Sequence, residues 1–96
     1  MPEFARVVTF EADAPAIDAL VNEINSAEGP PEDIPATRII VLADKSAGRV
    51  VVATRFASEE DLRKGGAALE AMSLPDIGNI RRLSVDQYEV LLERHA

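Results

Sequence analysis

The chain contains no cysteine, and that absence excludes several kinds of site at once. Disulfides, thiolate metal sites, iron–sulfur clusters and cysteine nucleophiles all require a thiol group. Tryptophan is also missing, and the sequence has a single tyrosine and a single histidine. That histidine, His95, lies beside the last residue, where chains usually fray, so we assign it no role. We predict no metal site and no bound cofactor.

Basic residues are scarce: 10 lysines and arginines stand against 17 aspartates and glutamates, which gives a formal net charge of −7. This charge repels phosphate backbones and anionic lipids, so we expect neither nucleic acid nor a membrane as a partner. No apolar run reaches membrane-spanning length, and the first residues lack a basic segment followed by an apolar one. We expect a cytoplasmic protein, with residues 1–96 forming one domain.

Two helices are indicated by the residues that would cap them. Ser58 offers a hydroxyl to free backbone N–H groups, and the three acidic residues after it favour a helix start. The core stripe of this helix is Leu62, Gly65, Gly66, Leu69 and Met72. Asp13 is the corresponding cap of an earlier helix, with the stripe Ile17, Leu20, Val21 and Ile24. That helix ends before Pro30 and Pro31, which open an acidic loop.

Four strands are predicted, at residues 5–12, 37–44 and 85–93 and around the apolar run 50–53. The turn at residues 45–48 ends in glycine and joins the second and third strands as an antiparallel hairpin. Residues 73–76, Gly78 and Asn79 carry turn chemistry. The element order is βαββαβ. We interpret it as a ferredoxin-like α+β domain, with a four-stranded antiparallel sheet and two helices on one face.

The second and third strands are apolar on both of their faces, although two helices cover only one face of a sheet. The simplest cover for the other face is a second copy of the same sheet, related by a two-fold axis. We therefore predict a homodimer that forms through the sheet face. The pattern leaves open which parity faces the partner, so Val51 and Val52 are the alternative positions at which an aspartate would abolish the dimer.

Several segments together resemble the dimeric α/β-barrel superfamily: FEADAPAIDAL, RIIVLADKSAGRVVVATRF, FASEEDLRKGGAALEAM and SVDQYEVLLER. The chain is most similar to the antibiotic-biosynthesis monooxygenase and stress-responsive barrel proteins. The resemblance implies two ferredoxin-like protomers packed sheet to sheet. Related barrels often carry a histidine near the position of Gly65, and haem-degrading members use an Asn, His and Trp set. Because this chain has glycine there and no tryptophan, we expect no catalytic residue.

Six residues are candidates to line a ligand cavity: Thr9, Thr54, Phe56, Gly65, Gly66 and Tyr88. The two helical glycines cost roughly 2 kcal/mol against alanines, which either close helix–sheet packing or a small cavity would explain. Arg38, Arg55 and Arg81 are able to clamp a carboxylate, although ion pairs with the many acids are the simpler interpretation. The adjacent acids 59–61 point in different directions along a helix and suit capping rather than a metal.

Three functions are compatible with these observations. The first is a non-catalytic dimeric barrel that binds a small apolar or aromatic molecule or serves only in assembly. The second is a cofactor-independent monooxygenase of an activated aromatic substrate, in which Tyr88 and one arginine assist proton removal. The third is an amino-acid-binding regulatory domain of the ACT kind, to which the turn from Asp13 to Ala16 is similar. The usual glycine of that turn is Ala16 here, and its Cβ would obstruct a ligand.

Overall fold

The computed structural model describes residues 3–26, 34–71 and 78–94. Within them the elements follow the predicted order: β1 (Glu3–Ala12), α1 (Ala14–Ser26), β2 (Ala36–Asp44), β3 (Arg49–Phe56), α2 (Glu59–Ala71) and β4 (Ile80–Val90). Several sequence predictions fall on residues outside the described ones: the loop residues Pro30 and Pro31, the stripe residue Met72, the turn at 73–76, and His95.

All four strands form one sheet in the order β2-β3-β1-β4, and each neighbouring pair is antiparallel. β1 and β3 lie in the centre, whereas β2 and β4 are the two edges. α1 connects β1 to β2, and β3 lies between these two strands in the sheet; α2 connects β3 to β4, and β1 lies between them. This is the split βαβ arrangement. The ferredoxin-like α+β class predicted from the sequence is confirmed.

Both predicted helix caps are present. The Asp13 carboxylate accepts a hydrogen bond from the backbone N–H of Ala16 at 3.0 Å, and the Ser58 hydroxyl accepts one from Asp61 at 3.1 Å. Each bond satisfies one of the backbone donors that a helix start leaves free. The hairpin between β2 and β3 turns through Gly48, whose φ of +69° lies in the left-handed region that favours glycine.

The prediction for the fourth strand is wrong at both ends. β4 begins at Ile80 rather than at residue 85, and it ends at Val90 rather than at residue 93. Its first half pairs with β1 through Glu11 and Ala12, and a bulge at Leu83 shifts the register. Two adjacent arginines obscured this half in the sequence, because strand pairing is set by a distant partner and not by local composition. From residue 85 to Val90, successive side chains alternate between the two faces of the sheet.

The two helices pack on the same side of the sheet, which we call the helix face. Residues opposite one another in antiparallel strands share a face, so the register assigns each side chain. Helix-face residues of the central strands are Phe4, Arg6, Val8, Phe10 and Ala12 on β1, and Val50, Val52, Thr54 and Phe56 on β3. Ala16, Ile17 and Leu20 of α1 bury Val8, Phe10 and Val50, whereas Leu62 of α2 buries Phe56 together with Ile34.

Candidate functional site: the open face of the sheet

On the other side of the sheet, which we call the open face, no helix packs among the described residues, because α1 and α2 both pack on the helix face. Its residues are Arg38, Ile40, Leu42 and Asp44 on β2, Arg49, Val51, Ala53 and Arg55 on β3, Glu3, Ala5, Val7, Thr9 and Glu11 on β1, and Arg81, Ser84, Asp86, Tyr88 and Val90 on β4. Leu42 is 59% exposed and Tyr88 is 55% exposed. Large apolar side chains of the sheet are therefore exposed to solvent on the open face of a single protomer.

On β2, β3 and β1 the open face is apolar in the middle and charged at both ends, whereas β4 places Asp86 beside Val7 at the lateral margin. The register sets Ile40, Ala53 and Val7 side by side on three adjacent strands. One step along the strands, Ala5 lies between Arg55 on β3 and Tyr88 on β4. The two alanines form a low area in the middle of the face, flanked by larger side chains. Such a surface, with an apolar centre and a charged margin, has the composition of an interface core and its rim.

The end of the open face near Arg55 is held by a network of ion pairs. The Arg55 guanidinium lies 2.8 Å from Glu3 and 2.7 Å from Glu93, and Glu93 also accepts a hydrogen bond from Arg38 at 2.6 Å. Glu93 lies after the end of β4, which is one edge of the sheet. Its contacts with Arg55 on β3 and Arg38 on β2 therefore connect this edge to the opposite one. They bury Arg55, whose Nε has no partner within the part of the chain that the structure describes.

These contacts shift the pKa of the groups that take part. The hydrogen bond from Arg55 holds the pKa of the Glu93 carboxyl below its ordinary value, and the charges of Arg55 and Arg38 act in the same direction. The hydrogen bond to Glu93 raises the pKa of Arg55 in turn. At the opposite end of the face, hydrogen bonds from the Ser46 hydroxyl and the Ala47 backbone lower the pKa of Asp44. Arg81 pairs with Glu11 there at 3.4 Å.

The six residues predicted to line one cavity are divided between the two sides of the sheet. Thr9 and Tyr88 lie on the open face. Thr54 and Phe56 lie on the helix face, where Gly65 and Gly66 of α2 pack. The structure therefore brings Phe56 and Gly65 together, and it separates both from Tyr88 by the thickness of the sheet.

The glycine pair in α2 is explained by packing. A Cβ at Gly65 would stand 2.6 Å from Cζ of the Phe56 ring, and that ring is fully buried. The space left by the missing side chain is therefore filled by phenylalanine. A Cβ at Gly66 would meet only ordinary contacts, with Gln87 at 3.7 Å and Arg6 at 3.9 Å. Close approach of helix and sheet requires glycine at Gly65 alone.

A second ion-pair cluster, which was not predicted from the sequence, lies on the helix face. Arg6 is buried in β1 and donates a hydrogen bond to Glu70 of α2 at 2.7 Å, and Arg82 of β4 donates to the same carboxylate oxygen at 2.8 Å. The hydrogen bonds from Arg82 and then Arg6 lower the pKa of Glu70. The only available signal was Arg6 at an inward position of an apolar strand, which requires a buried partner. Its partner lies 64 positions away.

A shallow, open depression lies where β1 ends, between the β2–β3 turn and the start of β4. Asp13 stands at this point, and both of its carboxylate oxygens are engaged, one by the backbone of Ala16 and one by the Asn79 amide at 3.1 Å. Ala16 itself is completely buried. The turn that is similar to an ACT ligand loop is thus closed by contacts within the chain.

No group of three metal-ligating side chains converges within residues 3–26, 34–71 and 78–94. Neither of the two described helices is long and apolar enough to cross a membrane. The fold and the open face define the class of the protein as a ferredoxin-like α+β domain with an uncovered apolar sheet face. No family model, no curated protein and no solved structure matches the chain.

Proposed function

We propose that the protein is a homodimer of the dimeric α/β-barrel type, in which two copies pack open face to open face. In this proposal it acts as a non-catalytic module that binds a small apolar or aromatic molecule between the two sheets. The observation that carries the proposal is the apolar centre of the open face, with Ala5 and Ala53 low between larger neighbours. Soluble monomers rarely expose contiguous apolar patches beyond a few hundred Å².

The dimensions of the sheet are consistent with a dimer. Four strands about 4.8 Å apart, over some seven residues of about 3.3 Å each, give a flat footprint of about 450 Å² per copy. Two copies would cover about 900 Å² before the relief of the side chains is counted, close to the ~1,000 Å² that a biological interface needs. The ion pairs at the two ends of the face would form the rim, which leaves the apolar centre to exclude water.

We place the ligand over Ala5 and Ala53, because their small side chains leave room between two facing sheets. Sheets in a sandwich stand about 10 Å apart when their side chains interdigitate. Small residues opposite one another leave part of that layer unfilled. Tyr88, which lies beside Ala5, would place a phenol at the margin of the unfilled space. An aromatic molecule with a hydrogen-bonding group has the matching chemistry.

A thermal-shift screen with quinones, polyketide-like aromatics and haem tests the binding part of the proposal. A ligand at 100 times its Kd should stabilise the protein by about 2.7 kcal/mol. Ala53→Leu fills the low area and should remove the shift, whereas Ala67→Leu on the exposed side of α2 should retain it. An unchanged melting temperature with every compound would reject ligand binding. The dimer would then be tested separately, by the mass measured in light scattering.

A second candidate function is a cofactor-independent monooxygenase acting on an activated aromatic substrate. The observation that favours it is the placement of Tyr88 and Arg55 on either side of Ala5, on one face. The phenol would relay a proton, and the substrate would supply the electrons that reduce oxygen. Oxygen uptake with an anthrone-type substrate decides between the two candidates. An uptake rate equal to that of Tyr88→Phe would exclude the enzyme.

A further inference from the structure

The two edges of the sheet differ in how they are protected. β4 carries the charged residues Arg81, Arg82, Asp86 and Glu89, and a bulge at Leu83 interrupts its register. β2 instead runs through five consecutive apolar residues between Arg38 and Asp44, with no proline, and its one irregularity lies before Arg38. Among the described residues no strand pairs with the outer side of either edge.

An edge strand presents a row of backbone donors and acceptors to any strand of matching shape, and natural proteins usually block such edges with charge, proline or a bulge. β4 has two of these devices and β2 has none between its end charges. Among the described residues, β2 also exposes apolar side chains on both of its faces. Ile39 on the helix face is 48% exposed, and Leu42 is the most exposed apolar residue of the open face. The edge is thus suited to pairing.

We propose that β2 pairs with β2 of a second copy, antiparallel, about a two-fold axis that passes beside Val41. Charge complementarity favours β2 of a second copy as the strand that pairs with this edge. A strand that pairs with its own copy places residue i opposite a residue whose number is a constant minus i. When Val41 faces the partner's Val41, Arg38 faces the partner's Asp44 and Asp44 faces the partner's Arg38. Cross-strand pairs of opposite charge are favourable, and this register forms two of them.

The same register also places residues of the same face opposite one another. Ile40 lies opposite the partner's Leu42, and both belong to the open face. Ile39 lies opposite the partner's Ala43, and both belong to the helix face. A shift by one residue would oppose open-face and helix-face positions, which the pleat forbids. A shift of the axis to Ile40 or Leu42 keeps the faces but separates the opposite charges.

The resulting pair would share about six to eight backbone hydrogen bonds and would form a continuous sheet of about eight strands. This inference goes beyond the proposed face-to-face dimer, because the β2 edge and the open face are different surfaces. A protein that used both would be a dimer of dimers with D2 symmetry, in which two eight-stranded sheets pack against each other.

Disulfide trapping tests the edge without reference to the open face, because the native chain has no cysteine. In Val41→Cys, the two thiols would stand on directly opposed residues, whose Cα atoms are about 4.5–5.5 Å apart, within disulfide range. In the matched control Ile39→Cys, the thiols would be about 13 Å apart along the strands. We expect mild oxidation to link Val41→Cys at least tenfold faster. Equal rates for the two variants would overturn the proposal.

A charge test fixes the register. In the Val41→Cys background, Arg38→Asp places acids at both ends of β2 and Asp44→Arg places arginines at both ends, so each variant repels itself. A mixture of the two restores both ion pairs. We expect each variant alone to crosslink more slowly than Val41→Cys, and the mixture to give the mixed disulfide well above the statistical share of about one half. A statistical mixture, with circular dichroism showing both variants folded, would reject this register.

Discussion

The two faces of the sheet are built from similar residues but have different environments. On the helix face, Val50 and Phe56 are completely buried under the helices. On the open face, Val51 and Ala53 on the same strand remain partly exposed, and Leu42 and Tyr88 are largely exposed. A strand with one wet face ordinarily alternates between apolar and polar residues. β3 does not alternate, so its sequence is suited to two covered faces, whereas the helices of the described part of the chain cover one.

The largest effect is expected when a charge is placed on either side of β3. Val52→Asp puts a carboxylate into the core that α1 closes, and we expect loss of several kcal/mol and no cooperative unfolding transition. Val51→Asp puts the same charge on the open face, and we expect loss of the dimer with a lowered melting temperature. Light scattering and circular dichroism separate the two results.

Val21→Asp on α1 is the control for the open-face substitution. The prediction that Val21 belongs to the core stripe of α1 is wrong, because this apolar side chain is 42% exposed. We expect this variant to keep both the mass and the fold of the native protein, since surface substitutions usually change stability by less than about 0.5 kcal/mol. If Val21→Asp and Val51→Asp behave alike, the open face has no special role.

A smaller effect distinguishes the two glycines of the helix face. In Gly65→Ala, the new methyl group overlaps the enclosed ring of Phe56, and overpacking costs about 1–3 kcal/mol against about 1 kcal/mol recovered in helix propensity. We expect a net loss of up to about 2 kcal/mol. In Gly66→Ala, the methyl group finds ordinary contacts, so we expect a gain of up to about 1 kcal/mol. Urea unfolding measures both changes, and equal signs would show that the packing differs from this description.

The smallest effect concerns acid and the ion pairs at the Arg55 end of the open face. Because the folded-state pKa of Glu93 is lowered, its stabilising contribution is present above the ordinary carboxyl pKa and is lost as the pH falls through the lowered value. We expect Glu93→Gln to flatten the decline in stability below about pH 4.3, which is the ordinary glutamate pKa, and to lower stability at neutral pH. Identical pH profiles for the variant and the native protein would show that this pair contributes nothing.

The elements of the fold were predictable because their signals are local. The capping contacts of Asp13 and Ser58 involve residues three positions away, and both were predicted correctly. The start of β4 was not, since it depends on pairing with β1. The contacts that organise the candidate site were also beyond the sequence: Arg55 meets Glu3 at a separation of 52 positions, and only the register of the sheet separates Tyr88 from Phe56.

The accessibility of Tyr88 tests most directly whether the open face is covered in solution. Tyr88 is the only tyrosine and the chain has no tryptophan, so the intrinsic fluorescence reports this side chain alone. It lies on β4, away from the β2 edge, so edge pairing would not shield it. Face-to-face dimerisation predicts that acrylamide quenches the native protein at micromolar concentration far less than N-acetyltyrosinamide, and that Val51→Asp raises the quenching. Native quenching as strong as that of Val51→Asp would contradict the dimer, because Tyr88 is 55% exposed in a single protomer.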